Sequence, residues 1–317
     1  MRLDKTSDGR NVTDGSVTTA WVLRGGASFG AAQVGMARAL MEAGHYPDLL
    51  FGTSAGALNA AWLAADPTLS GTAALAELWT AVRRRNVFAL GPVSLLAGLA
   101  GLRDSTFKST PYAKWLRATT RLRRLEDGVL PLTVVATDLE TGEEVLLETG
   151  PAVPALLASS AMPGIFPPVR VGQRWLVDGS VASDTPVGGA VRAGAGRVWV
   201  LPSIPSVAMA RPRTALDVLL RSVSIALARH TAGIVTQWAG RCELYMVPAP
   251  LVPGVSAFDF SKSGELIEAG YQVTGTWLEH ARPVGPANAA PDDVADRRAD
   301  GPGAGVEQRP ELRQPSE

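Results

Sequence analysis

The sequence predicts an α/β fold whose mostly parallel sheet is covered by helices on both faces. Short apolar, β-rich runs alternate with helical patterns along most of the chain, which is typical of this fold class. Strand-like runs such as 132–138 are apolar along most of their length, as expected for strands buried on both sides. With 317 residues and 46% hydrophobic content, the chain holds enough apolar material for a large core.

The N-terminal half is predicted to form two strand–turn–helix units, followed by two amphipathic helices. Its strands are short β-rich runs, and its helices carry apolar residues at helical spacing. In chain order the predicted ranges are strand 17–23, loop 24–30, helix 31–43, strand 49–51, helix 55–65, and helices 72–83 and 111–123. Helix 55–65 is nearly all apolar and is therefore expected to be buried.

The C-terminal half begins with a predicted hairpin, in which Glu140-Thr141-Gly142 joins two β-rich runs. In chain order the predicted ranges are strands 132–138 and 143–148, helix 154–159, a proline-rich loop to 168, strand 174–177, helix 187–193, strand 198–201, helix 214–237, strand 243–247 and helix 264–280. Residues 1–16 are polar, and 283–317 lack apolar periodicity. Both are predicted to be disordered, which leaves one domain over 17–282.

Charge and cysteine content exclude several classes of function. Thirty basic and thirty acidic residues cancel, which argues against nucleic acid as the main partner. The single cysteine, Cys242, offers neither an internal disulfide nor a metal framework. No signal segment is visible in 1–16, and the longest uncharged run, 86–102, is too broken by glycine and proline to span a bilayer. We expect a cytoplasmic protein. The sequence leaves open whether the protein contacts a membrane surface and how many subunits it forms.

The stretch Gly52-Thr53-Ser54-Ala55-Gly56 predicts a nucleophilic serine. It reads Gly-x-Ser-x-Gly between an apolar strand and an alanine-rich helix, the context in which a sharp turn exposes a serine hydroxyl above a sheet. Glycines two residues before and after the serine relieve the crowding of such a turn. The alternative is an ordinary glycine-flanked turn.

The loop after the first strand, Arg24-Gly25-Gly26-Ala27-Ser28-Phe29-Gly30, is the expected oxyanion site. In a parallel sheet it would lie at the same edge as Ser54, and its backbone N–H groups would face a ligand without intervening side chains. A dinucleotide or phosphate site is disfavoured because Ala27 interrupts the Gly-x-Gly-x-x-Gly spacing and no Gly-Lys-Ser/Thr follows. A purely structural turn is the remaining alternative.

Two kinds of general base are compatible with the sequence. A Ser-His-Asp order of the α/β-hydrolase type would have to use His280, because His45 and His230 have more ordinary structural interpretations. The other base is Asp178, which ends a strand and precedes Gly179. A partly desolvated carboxylate with a raised pKa could accept the serine proton directly. An exposed Asp-Gly turn is the alternative for Asp178.

Four blocks taken together resemble the patatin-like phospholipase family: 23–35, 52–56, 158–168, and 178–180 with 185–187. The resemblance runs from about residue 17 to 187 and weakens towards the last helix. It implies a three-layer α/β/α fold and a Ser–Asp dyad without histidine. By motif, Ser54 is then the nucleophile and Asp178 the base, while Gly25, Gly26 and Ala27 line the oxyanion loop. The implied partner is a lipid or phospholipid substrate, and no metal or cofactor is implied.

The chain departs from the family pattern at four positions. Ala27 replaces a glycine, which an oxyanion loop tolerates if the alanine keeps a negative φ, and Phe29 replaces a basic residue whose loss weakens the case for anionic head groups. Ser180 replaces a glycine, and Asp184 replaces an asparagine. Asp184 is expected to raise the pKa of Asp178 if the two carboxylates lie close together.

The sequence thus predicts a lipid acyl hydrolase, either a phospholipase A or a broad carboxylesterase. Two alternatives stay open: a Ser-His-Asp esterase using His280, and a non-catalytic module that binds lipid or protein. Residues 86–102, together with the region of Trp115, are interpreted as a flap over an acyl groove. Ile165 and Phe166 are expected to pack there or to contact the acyl chain.

Overall fold

The computed structural model describes residues 17–88, 107–203 and 215–285. Residues 1–16 and nearly all of 283–317, which are predicted to be disordered, lie outside the described residues. So does most of the predicted flap, from residue 89 to residue 102.

The described strands form one eight-stranded sheet. They are β1 Thr19–Leu23, β2 Leu49–Thr53, β3 Leu132–Asp138, β4 Glu144–Leu147, β5 Val169–Val171, β6 Arg174–Asp178, β7 Arg197–Leu201 and β8 Glu243–Met246. The order is β5-β6-β3-β2-β1-β7-β8, with β4 paired to β3. From β8 to β3 all neighbours are parallel, whereas β4, β5 and β6 pair antiparallel. The predicted mostly parallel sheet is confirmed.

The helices cover both faces of this sheet. They are α1 Ala31–Glu42, α2 Ala55–Ala65, α3 Leu69–Ala81, α4 Arg84–Val87, α5 Thr110–Thr119, α6 Ala152–Ser159, α7 Ser180–Ser183, α8 Val187–Arg192, α9 Ala215–Trp238 and α10 Ser263–Leu278, with 3₁₀ turns at Ala27–Gly30 and Leu125–Asp127. Alternate residues of β1 enter two separate cores. Trp21 and Leu23 pack with α1, α2 and α10, whereas Ala20 and Val22 pack with α8. The three-layer α/β/α prediction is confirmed.

Most predicted elements are present, and the differences have local causes. Strand β2 runs two residues further than predicted, because Gly52 and Thr53 continue its pairing with β3. Helix α5 ends at Thr119 rather than at residue 123, because the chain turns extended at Thr120 and is then held by hydrogen bonds between 123–125 and 150–152. Helix α2 is buried from its first residue to Ala64, as predicted.

One feature of the pairing places the carboxyl ends of β2 and β6 side by side. Strand β4 occupies one edge of β3 at residues 134–137, so β2 and β6 must share the other edge. On that edge Thr53 is opposite Val135, and Asp178 is opposite Ala136. The residues that end β2 and β6, Thr53 and Asp178, therefore lie next to each other along this edge of β3, although they are 125 positions apart along the chain.

Candidate active site

Ser54 occupies a strained turn between β2 and α2. Its φ is 55° and its ψ is −122°, a backbone conformation that residues with side chains rarely adopt. Such strain is typical of a serine held above a sheet in a sharp strand-to-helix turn. The flanking glycines are required as predicted, since a Cβ at Gly52 would lie 2.5 Å from Ala57 Cα, and one at Gly56 would lie 2.1 Å from the Leu23 carbonyl oxygen.

The glycine loop lies beside this turn because β1 and β2 are parallel neighbours, with Leu23 opposite Gly52. The three predicted oxyanion donors are not equivalent. The Gly25 N–H donates to Asp184 Oδ1 at 3.1 Å, so it does not face a substrate while that contact holds. The Gly26 and Ala27 N–H groups donate no hydrogen bond to any described residue. Ala27 also lines the cavity that contains Ser54.

A buried network of side-chain hydrogen bonds holds the start of the glycine loop in place. The Gln33 side-chain amide donates to the Arg24 carbonyl oxygen at 2.8 Å and to the Leu201 carbonyl oxygen at 2.9 Å. Asn59 of α2 donates to Gln33 Oε1 at 2.8 Å. Trp79 of α3 in turn donates to Asn59 Oδ1 at 2.7 Å. The network ties α1, α2 and α3 to the start of the glycine loop and so fixes the loop relative to Ser54.

The condition set on Ala27 by the sequence is not met, because its φ is +49° rather than negative. Alanine in this left-handed region loses about 1–2 kcal/mol relative to the right-handed form. The loop has kept the backbone shape expected of glycine while carrying a methyl group. The energetic cost of alanine at this position therefore falls on stability.

We expect the variant A27G to be more stable than the parent protein by about 0.5–1 kcal/mol. Glycine removes the left-handed strain, and this gain is partly offset by the greater freedom of glycine in the unfolded chain. Equilibrium unfolding in urea measures the difference. The control is A73G on the exposed face of α3, which should lose about 1 kcal/mol. A destabilised A27G would show that φ at this position is not positive.

Asp178 is buried, with 1% of its surface exposed, which contradicts the alternative of an exposed Asp-Gly turn. Its Oδ1 accepts hydrogen bonds from the Ser180 N–H at 2.9 Å and from the Ser180 hydroxyl at 2.7 Å. Burial raises the pKa of Asp178 to about 6, and the Ser180 and Ser54 contacts moderate that rise. Repulsion from Asp184 adds a small further increase in the pKa, in the direction predicted.

The two oxygens of Asp178 differ in their hydrogen bonds. Oδ2 is buried and makes no full hydrogen bond with any described residue. The Ser54 hydroxyl is nevertheless close enough to lower the pKa of Asp178, although it does not meet the distance and angle of a full hydrogen bond. Hydrogen bonds between catalytic groups are often long before substrate binds.

Asp184 is neutralised by Arg24, which lies at the start of the glycine loop. The Arg24 Nε donates to Asp184 Oδ2 at 2.7 Å, and its Nη2 donates to the same oxygen. Both side chains are largely buried, at 15% and 4% exposure. The pair clamps the segment after Asp178 to the glycine loop, and it explains how a carboxylate replaces the asparagine usual in the family without leaving an unpaired buried charge.

An apolar cavity contains both Ser54 and Asp178. Most of its wall is aromatic or aliphatic: Leu58, Leu78, Trp79, Val82, Val87, Phe88, Tyr112, Trp115, Met162, Ile165, Phe166, Phe258 and Phe260. The predicted roles of Ile165 and Phe166 in the wall are confirmed, and Trp115 lies there too. Such a cavity suits an extended hydrocarbon chain.

Several residues of the site were missed from sequence. The Ser159 hydroxyl accepts a hydrogen bond from the Ser54 N–H at 2.9 Å. Tyr112 is in hydrogen-bond contact with Ser160 at 3.3 Å, and burial raises the pKa of Tyr112 to about 12. Both serines lie in block 158–168, which carries part of the family resemblance, but only the fold shows that the Ser159 hydroxyl contacts Ser54. Ala55, the first residue of α2, also lines the cavity, and the N–H after a nucleophile is a usual oxyanion donor.

None of the three histidines lines the cavity that contains Ser54. His280 is exposed and lies two residues beyond the end of α10. Of the residues that line the cavity, Phe260 is nearest to α10 in sequence, and it precedes the first turn of that helix. His280 follows the opposite end of α10, whose 16 residues span about 24 Å. This placement argues strongly against the alternative in which His280 is the base. His230 is exposed on α9, and His45 contacts the Trp199 ring at 4.8 Å.

The described part of the chain shows neither a metal-binding cluster nor a membrane-spanning helix. No three His, Cys, Asp or Glu side chains are grouped so as to hold a metal ion. No described helix combines the length and the hydropathy that crossing a bilayer requires.

Comparison with known proteins places this site within a known sequence family. A family model described as Patatin-like phospholipase matches residues 21–191, which include the glycine loop, Ser54 and Asp178. The mouse protein named patatin-like phospholipase domain-containing protein 7 is 31% identical over 153 residues, covering 47% of this chain and 11% of that protein. An uncharacterised NTE family protein of Mycobacterium tuberculosis is 29% identical over 175 residues, covering 52% of this chain and 27% of that protein.

These matches therefore cover no more than about a quarter of either relative. Among solved structures, VipD from Legionella pneumophila aligns with a TM-score of 0.42 at 14% identity, covering 87% of this chain and 69% of that one. ExoU of Pseudomonas aeruginosa, solved in complex with SpcU, aligns with a TM-score of 0.36 at 18% identity, covering 82% of this chain and 51% of that one.

Proposed function

The chain belongs to the patatin-like phospholipase family, and from that premise we propose that it hydrolyses carboxylic esters of lipids with a Ser54–Asp178 dyad. The observation that supports this most is the meeting of three features at one edge of the sheet. A strained serine, a buried carboxylate and a loop with unengaged N–H groups adjoin a single apolar cavity.

The proposed reaction has two halves. In the first, Asp178 accepts the proton of the Ser54 hydroxyl as Oγ attacks the ester carbonyl, and the negative oxygen is held by the Gly26 and Ala27 N–H groups. The tetrahedral species collapses, and the leaving alkoxide takes the proton from Asp178. In the second half, Asp178 accepts a proton from water as the water attacks the acyl-serine, and Ser54 departs with that proton. The fatty acid is released, and the enzyme returns to its starting state.

The first prediction from this mechanism concerns pH. The base works only when ionised, and the pKa of Asp178 is about 6. We expect kcat/KM for fatty-acid release from a soluble ester to rise about tenfold per pH unit below 6 and to level off above 7. A pH–rate profile with a nitrophenyl ester measures this. A profile flat from pH 4 to 8 would remove Asp178 from the role of base.

The substrate class follows from the surroundings of the cavity. Its described wall carries one carboxylic acid, Asp178, and no basic side chain, which favours an uncharged part of the ligand inside. A polar cleft shares Val82, Phe258 and Phe260 with the cavity and is also lined by Arg83 and Arg84. The cleft supports a phospholipid, with its acyl chain in the cavity and its phosphate beside the arginines. Asp259 also lines this cleft, and its negative charge offsets part of the positive charge of the two arginines.

The variant R84Q tests this assignment of the head group. Arg84 is exposed and makes no ion pair with a described residue, whereas Arg83 already donates to the Thr80 and Val82 carbonyl oxygens. We expect R84Q to lower kcat/KM for a phospholipid by about 3- to 30-fold while leaving a neutral nitrophenyl ester unaffected. The control is R117Q on the exposed face of α5. Equal effects on both substrates would assign the enzyme to neutral esters.

A non-catalytic module that binds lipid or protein is the second candidate. The same apolar cavity would serve it, and the strain at Ser54 would then have no function. Incubation with phospholipid vesicles and with soluble esters separates the two, because only the hydrolase releases fatty acid. Binding without release by well-folded protein would favour the module.

A further inference from the structure

Ser180 is a residue that the proposed dyad does not use, although it makes the strongest contacts to the proposed base. Its hydroxyl lies 2.7 Å from Asp178 Oδ1, and its N–H lies 2.9 Å from the same oxygen. Both bonds go to one carboxylate oxygen, whereas Oδ2 accepts no full bond from a described residue. Ser180 therefore fixes which of the two oxygens faces Ser54.

The hydroxyl of Ser180 also lies against the glycine loop. A Cβ built on Gly25 would lie 2.9 Å from Ser180 Oγ and 3.2 Å from Ser54 Cβ. Ser180 thus occupies a narrow space between the base, the nucleophile and the start of the oxyanion loop.

We propose that Ser180 is a positioning residue, whose hydroxyl holds Asp178 with Oδ2 directed at Ser54 and favours the ionised form of the carboxylate. This inference rests on the proposed function for its catalytic consequence, but the hydrogen bond acts on Asp178 whether or not the protein is an enzyme. A buried carboxylate loses the stabilisation of water, and a hydroxyl donor replaces part of it. Among the contacts that lower the pKa of Asp178, the Ser180 hydroxyl is the largest.

The other groups around Asp178 do not supply the same effect. Asp184 acts in the opposite direction, and its charge is compensated by Arg24 from the glycine loop. Tyr112 of α5 stays neutral below about pH 12. The Ser54 hydroxyl makes an incomplete contact and loses its proton during the reaction. The Ser180 hydroxyl is thus the side-chain donor that holds the charge before and during the proposed transfer.

The test compares the pH–rate profiles of the parent protein, S180A and S180T. Loss of the hydroxyl should move the acid limb upward by about one pH unit, so that S180A loses most activity at pH 6 and least at pH 8. The variant S180T, which keeps a hydroxyl, should restore the parent limb. The control S183A removes another hydroxyl of the same short helix, one that makes no bond to Asp178. A uniform loss of rate with an unmoved limb would overturn the proposal.

A second measurement does not depend on turnover. If S180A raises the pKa of folded Asp178 by about one unit, its folding equilibrium constant should fall about tenfold more than that of the parent protein between pH 5 and pH 8. Urea unfolding at these two pH values measures it, with D178N as the background in which the effect must vanish. A shift in unfolding without ester hydrolysis would support Ser180 and reject the proposed function. Identical pH dependence in S180A and the parent protein would reject the role of Ser180.

The same variants decide whether Ser180 is itself a nucleophile. A serine-reactive fluorophosphonate should label the parent protein and S180T, and should fail to label S54A. Labelling of S54A that is lost in the S54A/S180A double variant would assign the attack to Ser180 and overturn its positioning role.

Discussion

The variant S54A is expected to lose ester hydrolysis, by at least about 10³-fold, with little change in stability. The loss follows because alanine offers no nucleophile, and the other parts of the site alone give only weak rate enhancement over water. Stability should stay within about 0.5 kcal/mol, since the Ser54 side chain forms no full hydrogen bond to Asp178 and does not cap α2. Fatty-acid release and fluorophosphonate labelling measure the activity, and urea unfolding measures the stability.

The matched control is S222A, which removes an exposed hydroxyl from α9 and should change neither quantity. Ser222 donates only to the Val218 carbonyl oxygen of its own helix. Full activity in S54A would reject Ser54 as the nucleophile. Loss of activity accompanied by unfolding would assign the effect to structure, and S54G, which tolerates the positive φ, would then separate the two causes.

The variant D178N is expected to lose activity and to gain stability at neutral pH. The carboxylate is buried, and its pKa is raised from 3.8 to about 6. Because one pKa unit corresponds to about 1.4 kcal/mol, the ionised form destabilises the folded protein by about 3 kcal/mol. Asparagine can still accept the Ser180 hydrogen bonds but carries no charge. We expect a net gain of about 1–3 kcal/mol at pH 8, less than the whole because the new amide N–H groups also need partners.

The sign of the pH dependence makes this prediction specific. A group whose pKa is raised by folding stabilises the folded state below its unfolded pKa, and that contribution is lost as the pH rises through the folded value. The advantage of D178N should therefore be largest above pH 7 and disappear as the pH falls from 6 towards 4. Chemical unfolding at pH 4, 6 and 8 measures it. A D178N protein that is less stable at pH 8 would show that the carboxylate is well solvated or well paired.

The loss of activity and the gain of stability expected for D178N would together be a trade-off that is common in enzymes. A residue suited to accept a proton near neutral pH is one that the fold holds in an unfavourable environment, so its removal stabilises the protein. The strained φ of Ser54 has the same character. In contrast, the Arg24–Asp184 pair and the amide network of Gln33 and Asn59 carry the rigidity that keeps such groups in place.

The sequence alone determined the fold class and most of the elements, and it supplied the candidate site residues Ser54 and Asp178. Periodicity and composition sufficed for the parallel sheet, because strands buried on both faces are apolar throughout and helices repeat every 3.6 residues. Gly52 and Gly56 could be assigned to a tight turn because only glycine fits so close to neighbouring backbone. The nomination of Asp178 depended on the family resemblance in addition to its position at a strand end.

Only the tertiary structure decided which atoms meet. The approach of Asp178 to Ser54 depends on β6 pairing along the same edge of β3 as β2, a register that no local pattern encodes. The engagement of the Gly25 N–H by Asp184 depends on residues 159 positions apart, and the positive φ of Ala27 is set by the loop as a whole. Burial, which gives Asp178 its raised pKa, is likewise a sum over distant elements. Local sequence encodes torsional preference and periodicity, whereas desolvation and hydrogen-bond partners arise only when distant segments pack together.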